Sequence, residues 1–262
     1  MKFPNESKSY RAARAKLLQA ELALRMQTEK VAALRRKLPA GGTVPQDYVF
    51  ETEIGNVKLS GLFDRGDTLV AYSFMYGPNA KAPCPMCSSM LDGLNGNAGH
   101  IAGRTNLVVI AKSPLPRILE FARGRGWNKL MFLSSEGNSY NRDYHGEDDK
   151  GAQWPMMNVF VRRKGVIRHF WGSEMLAAKS EKGQNARNVD STWPLWNLLD
   201  LTPEGRGDWY PKLDYHAANR DVRNLKGAIT KPAKPVSVKD MNRAVRRRAV
   251  RRLVGRGLAG RR

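Results

Sequence analysis

The sequence predicts an α/β fold in which helices cover the faces of a central sheet. Three observations carry this. Apolar runs of strand length recur at 67–77, 105–113 and 129–135 ("DTLVAYSFMYG", "TNLVVIAKS" and "KLMFLSS"). Segments of helical composition lie between them, at 87–104 and 114–126. A fourth apolar stretch, 157–173, reads as a hairpin that turns at Lys164-Gly165. Strands that alternate with helices pack as a covered sheet, and strands buried on both faces read as near-continuous apolar runs.

Taken in order, residues 7–37 predict a long helix. Ala, Leu, Glu, Lys, Arg and Gln dominate, with no Gly or Pro, a composition of strong helix formers. Leu17, Leu18, Leu22, Leu24, Val31 and Leu34 give an apolar stripe, and Pro39 with Gly41 and Gly42 ends the helix. Residues 1–42 are therefore expected to form an arm packed on the domain or on the partner subunit of a homo-oligomer. Residues 48–60 alternate like two strands about a turn at Gly55-Asn56. The 67–77 run suits a central strand. The 87–104 segment is helical but broken by glycines, and prolines open the 114–126 helix. Residues 136–153 read as a polar surface loop, and 190–207 contain a short helix near the C-terminal edge. The domain is expected over 43–215.

Charge divides the chain. The 262 residues carry 45 Lys and Arg against 24 Asp and Glu, a net of +21. From His216 to Arg262 there are 15 Lys and Arg against 2 Asp, a net of +13, which leaves +8 for residues 1–215. The total is therefore not a nucleic-acid footprint of the domain. Residues 216–262 are expected to be a basic tail, disordered or partly helical. The tail is read as a solvated extension, with an anionic surface or nucleic acid as the partner that such charge would attract. No run approaches the ~18 apolar residues of a membrane span. The N-terminal stretch lacks the apolar core of a signal peptide, so a cytoplasmic location is expected.

The two cysteines, Cys84 and Cys87, form a single C-x-x-C, "CPMC". Two cysteines cannot build a disulfide framework, and a close pair in a reducing compartment points to redox or metal chemistry. At the start of a helix, unpaired N–H groups and the helix dipole favour an anion on the first cysteine. Its thiolate can attack a disulfide, and a cysteine one turn later can resolve the mixed disulfide. Pro85 suits a first-turn position. The residues alone leave other readings open. Zinc needs four ligands, and no second C-x-x-C exists. His100, His145, His169 and His216 are not paired at ligand spacing. Copper(I) would take two thiolates with Met86 or Met90. Two inert buried thiols are the third alternative.

Asp92, five residues after Cys87, reads as a helix-surface carboxylate with proton transfer as the alternative. Asn141, Asp143, Tyr144 and His145 cluster in "YNRDYHGED", where they border a site or cap a turn. His169 reads as a packed strand histidine. Trp154, Trp171, Trp193 and Trp196 read as core or interface residues.

The strings "YSFMYG", "CPMCSSMLDGL", "SPLPRILEFARGRGW", "LSSEGNSYNRDY", "NVFVRRKGVIRHFWGSEM" and "LDLTPEGRGDWYPKLDY", with others over about residues 11–215, resemble the family known as domain of unknown function 899. The resemblance implies a thioredoxin-like fold, a central mixed sheet flanked by helices, and a dithiol–disulfide oxidoreductase activity. It implies Cys84 as the attacking and Cys87 as the resolving thiol. Pro155, before a strand, matches the cis-proline that such folds set against the dithiol. Pro155 and Met86 would shape the docking surface for a disulfide- or thiol-containing protein or a small thiol. No organic cofactor is implied; electrons would come from a reductase, glutathione or another thiol protein. Thioredoxin has Trp-Cys-Gly-Pro-Cys where this chain has Pro-Cys-Pro-Met-Cys. The peroxiredoxin pattern Pro-x-x-x-Thr-x-x-Cys is absent, since Gly77 and Ala80 stand seven residues before the two cysteines.

Overall fold

The structure, a computed structural model, describes residues 1–179, 182 and 192–213. The basic tail expected from 216 onward lies outside the described residues.

Helix α1 spans Lys8–Arg36. The Ser7 hydroxyl accepts the Tyr10 N–H at 3.1 Å and caps the start, and Arg35 and Arg36 complement the negative end of the dipole. No residue of α1 is buried, and Leu17, Leu18 and Leu24 are exposed. Leu22 of the stripe is half-buried, and the last two turns border a cavity of the domain. There Val31, Leu34 and Arg35 face Trp171 across a cavity of about 550 Å³, and the Arg35 guanidinium lies 5.3 Å from the Trp171 ring centre. The linker after α1 is held to the last strand through His169 N–H to Gly42 O (2.9 Å) and Val44 N–H to Ile167 O (3.1 Å).

Strands β1 (Val49–Thr52) and β2 (Gly55–Lys58) form the first hairpin. Its turn is Glu53-Ile54, two residues earlier than expected. Gly55 takes φ 114° and starts β2 instead of forming the turn. Then follow β3 (Thr68–Ser73), α2 (Pro85–Ala102), β4 (Asn106–Ala111), α3 (Leu115–Arg125), β5 (Met131–Ser134), α4 (Tyr140–Asp143), β6 (Met156–Arg163), β7 (Val166–Gly172) and α5 (Pro194–Leu199). Among the described residues the strands make one seven-stranded sheet in the order β2-β1-β5-β4-β3-β6-β7. Strands β3, β4 and β5 run parallel; β6 is antiparallel to β3 and β7 to β6. A strand, a C-x-x-C helix, a parallel strand and an antiparallel hairpin on the far side make this a thioredoxin-like fold, as the sequence implies. The β6–β7 turn falls at Lys164-Gly165, both with positive φ (49° and 77°), the conformation a tight two-residue hairpin needs.

Side-chain alternation builds two cores. Leu69 and Ala71 of β3 and Val108 and Ile110 of β4 face one side, with Tyr48, Phe50, Tyr140 and Phe160. Tyr72 of β3 and Val109 and Ala111 of β4 face the other, against Met90 and Leu91 of α2 and Ile118 of α3. Two further expectations need correction. Residues 136–153 are not simply a surface loop: α4 lies within them, and Tyr140 and Asn141 are wholly buried. Helix α2 is not broken by Gly93, Gly96 and Gly99. Cys87, Met90, Leu91 and Ala98 bury a face at helical spacing. Each buried large side chain is worth ~1.5–3 kcal/mol, which outweighs ~1 kcal/mol lost per helical glycine. No helix among the described residues is long and apolar enough to cross a membrane.

A Cβ at Gly96 would meet nothing within 4 Å. Gly96→Ala is therefore expected to stabilise the fold by ~0.5–1 kcal/mol, read as a melting temperature raised by about 2 °C. An unchanged or lower value would mean that the helix needs flexibility there.

Candidate active site

The dithiol stands where β3 runs out and α2 begins. Beyond Ser73 the chain stays fastened to the sheet through Phe74 N–H to Ile110 O (2.8 Å) and Ser113 N–H to Tyr76 O (3.0 Å). The loop that follows is braced by Arg117 of α3. Its guanidinium donates to the carbonyls of Gly77 (3.3 Å), Pro78 (2.7 Å) and Ala80, and lies 4.5 Å from the Tyr76 ring centre. The Cys84 N–H then returns to Met75 O at 3.1 Å and closes the loop.

Cys84 is the N-cap of α2, with φ −61° and ψ 126°. Its carbonyl accepts Ser88 N–H (3.0 Å) and the Ser88 hydroxyl (2.9 Å). Pro85 follows in the first turn, where its missing N–H costs nothing. The Cys84 thiol is brought down to about 6. The main cause is the Cys87 S–H that donates to it; burial opposes this; N–H groups of Cys87 and Met86 and the Tyr210 hydroxyl add to the lowering. Tyr210 Oη is 3.9 Å from Cys84 Sγ, although 126 residues separate them. Burial in turn drives the Cys87 thiol well above its ordinary range, and the hydrogen bond to Cys84 and its charge push the same way. Cys87 is 2% exposed and Cys84 half-buried, and no disulfide joins them. Tyr72, buried on β3, hydrogen-bonds Cys87 from inside the core. The pair thus presents one half-buried sulfur that ionises easily and one enclosed sulfur that keeps its proton.

Cys84 opens onto a cavity of about 620 Å³ lined also by Pro83, Lys112, Glu147, Lys150 and Gln153. Buried Asn141 organises the far wall. Its carbonyl accepts Gly146 N–H (2.6 Å) and Glu147 N–H (3.0 Å), and its amide donates to Gln153 Oε1 (3.2 Å). The "YNRDYHGED" cluster therefore divides between turn-building and the cavity wall. Asp143 accepts the Tyr48 and Ser139 hydroxyls, each at 2.6 Å.

Met86 is half-buried beside the dithiol. Pro155 is not a cis residue: no cis peptide bond occurs among the described residues. The pairing of Ser73 with Met156 sets Pro155 at the dithiol end of the sheet. Pro155 shares a cavity with Tyr72 and Met90, however, and not the cavity of Cys84. Asp92 is no surface carboxylate. It pairs with Arg125 and accepts Trp127 Nε1–H at 2.8 Å, which ties α2 to α3. His169 packs between Tyr144 and Phe160 with Nε2 2.9 Å from Asn158 Oδ1, and burial holds its pKa below the ordinary value. Trp193 and Trp196 are core residues, whereas Trp154 is 49% exposed. Among the described residues no three His, Cys, Asp or Glu side chains are grouped to hold a metal ion. Sequence reasoning missed Tyr72 and Tyr210. Strand alternation put Tyr72 on the α2 face, but no spacing rule links Tyr210 to Cys84.

Fold and site together define a thioredoxin-like protein with a C-x-x-C dithiol at a helix start. The chain belongs to the bacterial family of proteins of unknown function DUF899, which matches residues 1–222. Comparison with curated proteins finds no match. Among solved structures, a peroxiredoxin-like protein from Aquifex aeolicus is similar at 16% identity over 52% of this chain and 75% of that one (TM-score 0.37). Reduced Prx3 of Vibrio vulnificus in complex with hydrogen peroxide shares 14% over 60% and 95% (TM-score 0.39). AhpC of Enterococcus faecalis shares 11% over 66% and 98% (TM-score 0.40).

The two environments predict unequal reactivity. Iodoacetamide attacks thiolate, so alkylation of Cys84 is expected to rise with pH, reach half its plateau near about 6 and level off above it. Cys87 is expected to stay unmodified until the protein is denatured. Peptide mapping at several pH values checks both; equal labelling of the two cysteines at pH 7 would contradict the geometry.

Proposed function

We propose that this chain is a thiol–disulfide oxidoreductase working through Cys84 and Cys87. The observation that carries the reading is the placement of Cys84 as the N-cap residue of α2 with Cys87 one turn on, a setting that brings the Cys84 thiol down to about 6. Helix N-termini and neighbouring donors lower thiol pKa in this way.

The reaction runs in two exchanges. The Cys84 thiolate attacks one sulfur of a substrate disulfide. A Cys84–substrate bond forms, the substrate S–S bond breaks, and the departing sulfur leaves with the electron pair and takes a proton from solvent. Cys87 then loses its proton and attacks Cys84. The intramolecular disulfide forms, and the second substrate sulfur leaves as a thiolate. Two electrons have passed from the dithiol to the substrate. A reductase, glutathione or another thiol protein would restore the dithiol, and the same steps reversed would oxidise a partner. The substrate, a protein or small-molecule disulfide, enters the cavity beside Cys84, where Pro83 and Pro85 offer an apolar edge, while Met86 packs against the core next to the dithiol. Pro155 lines the neighbouring cavity with Tyr72 and Met90. Such a couple would work in a reducing compartment such as the cytoplasm.

A titration of the metal-free protein in glutathione buffers, with thiols counted by alkylation and mass spectrometry, tests the reading. A reversible two-electron transition between about −120 and −270 mV is expected, abolished by Cys84→Ser. In Cys87→Ser the reaction should stop at a mixed disulfide on Cys84. Thiols that never form the intramolecular bond would refute it.

A further inference from the structure

Resting on the oxidoreductase reading, we propose that Tyr210 is a catalytic residue: its hydroxyl is a hydrogen-bond donor to the Cys84 sulfur, delivered by a separate strap of chain. The strap runs from the end of α5 to residue 213. It is fastened on both sides of Tyr210. On one side Arg206, itself buried, binds both carboxylate oxygens of Asp200 at 3.0 Å and lies 5.0 Å from the Trp196 ring centre. Trp209 meets Trp196 edge-on, with centroids 6.0 Å apart. On the other side Pro211 is buried, and Leu213 O accepts from Arg125 Nη1 at 2.7 Å. Arg125 is also the partner of Asp92 on α2, the helix that Cys84 opens. The strap is thereby fixed to the helix that carries the dithiol, and Tyr210 is left half-exposed over Cys84 at 3.9 Å.

The phenol suits donation and not proton transfer. Burial, followed by the charge of Cys84, lifts it to about 12, so it keeps its proton across the working range. Cys84 accepts strongly only as an anion. When Cys84 attacks a disulfide, its electron pair passes into the new S–S bond and the charge leaves with the departing sulfur. The Tyr210 hydrogen bond then loses most of its strength. Tyr210 therefore favours the reduced dithiol over the disulfide and makes the couple more oxidising.

Tyr210→Phe removes the hydroxyl and keeps the ring. Losing a long hydrogen bond to a half-exposed anion should lower the Cys84 alkylation rate at pH 5 about threefold and move the midpoint of its pH profile upward. The same factor in the redox equilibrium makes the couple about 15 mV more reducing, at 30 mV per tenfold for two electrons. Leu201→Ala, at a strap position that is 78% exposed and takes no part in these fastenings, keeps the hydroxyl of Tyr210 and is expected to leave both readouts at wild-type values. An unshifted profile in Tyr210→Phe, or an equal shift in both variants, overturns the proposal. If wild type forms no Cys84–Cys87 disulfide, the oxidoreductase reading fails, while the alkylation profiles still decide whether Tyr210 donates to Cys84.

Discussion

One residue joins the sheet to the helix that carries the chemistry. Cys84 gives its N–H to Met75 at the end of the β3 segment and its carbonyl to Ser88 in the first turn of α2. Those bonds contribute only ~1 kcal/mol each. They orient what packing has already decided, because Met90 and Leu91 of α2 and Tyr72 of β3 are buried against one another at larger gain. With that helix seated, Cys87 must lie in the core and Cys84 at its margin. The loop between strand and helix has little freedom left, since Arg117 gathers three of its carbonyls.

Two identical thiols acquire opposite properties from this placement. Enclosure raises one, and donors around the other lower it. The separation is what the proposed two-step exchange would require, an attacker that is ionised and a resolver that waits. The surroundings divide likewise. Tyr72, rigid in a strand, attends the inner sulfur, and Tyr210, on an irregular segment, attends the outer one.

Much of this was legible in the residues. Apolar runs and their alternation located β3, β4, β5 and the β6–β7 hairpin, and the prolines marked the starts of α2 and α3. The C-x-x-C spacing located the dithiol. What was hidden depended on tertiary contact. Glycine content argued against a continuous α2, because its local cost is visible in sequence and the burial that offsets it is not. The 136–153 segment looked like a loop because polar letters surround Tyr140, whose burial depends on Tyr48 and Phe50 from a distant hairpin. Asp92 looked exposed because its cation, Arg125, belongs to another helix.

The unburied α1 has a spectroscopic consequence. Its 29 residues would reach about 43 Å, and its stability comes mostly from local propensity and its cap, with little tertiary support. Heating should fray it over a broad range, separately from the cooperative loss of the sheet. It holds no tryptophan, so intrinsic fluorescence follows the domain while far-ultraviolet dichroism also follows the arm. The two signals would then trace different curves on the same sample, and a single melting temperature would describe only the domain.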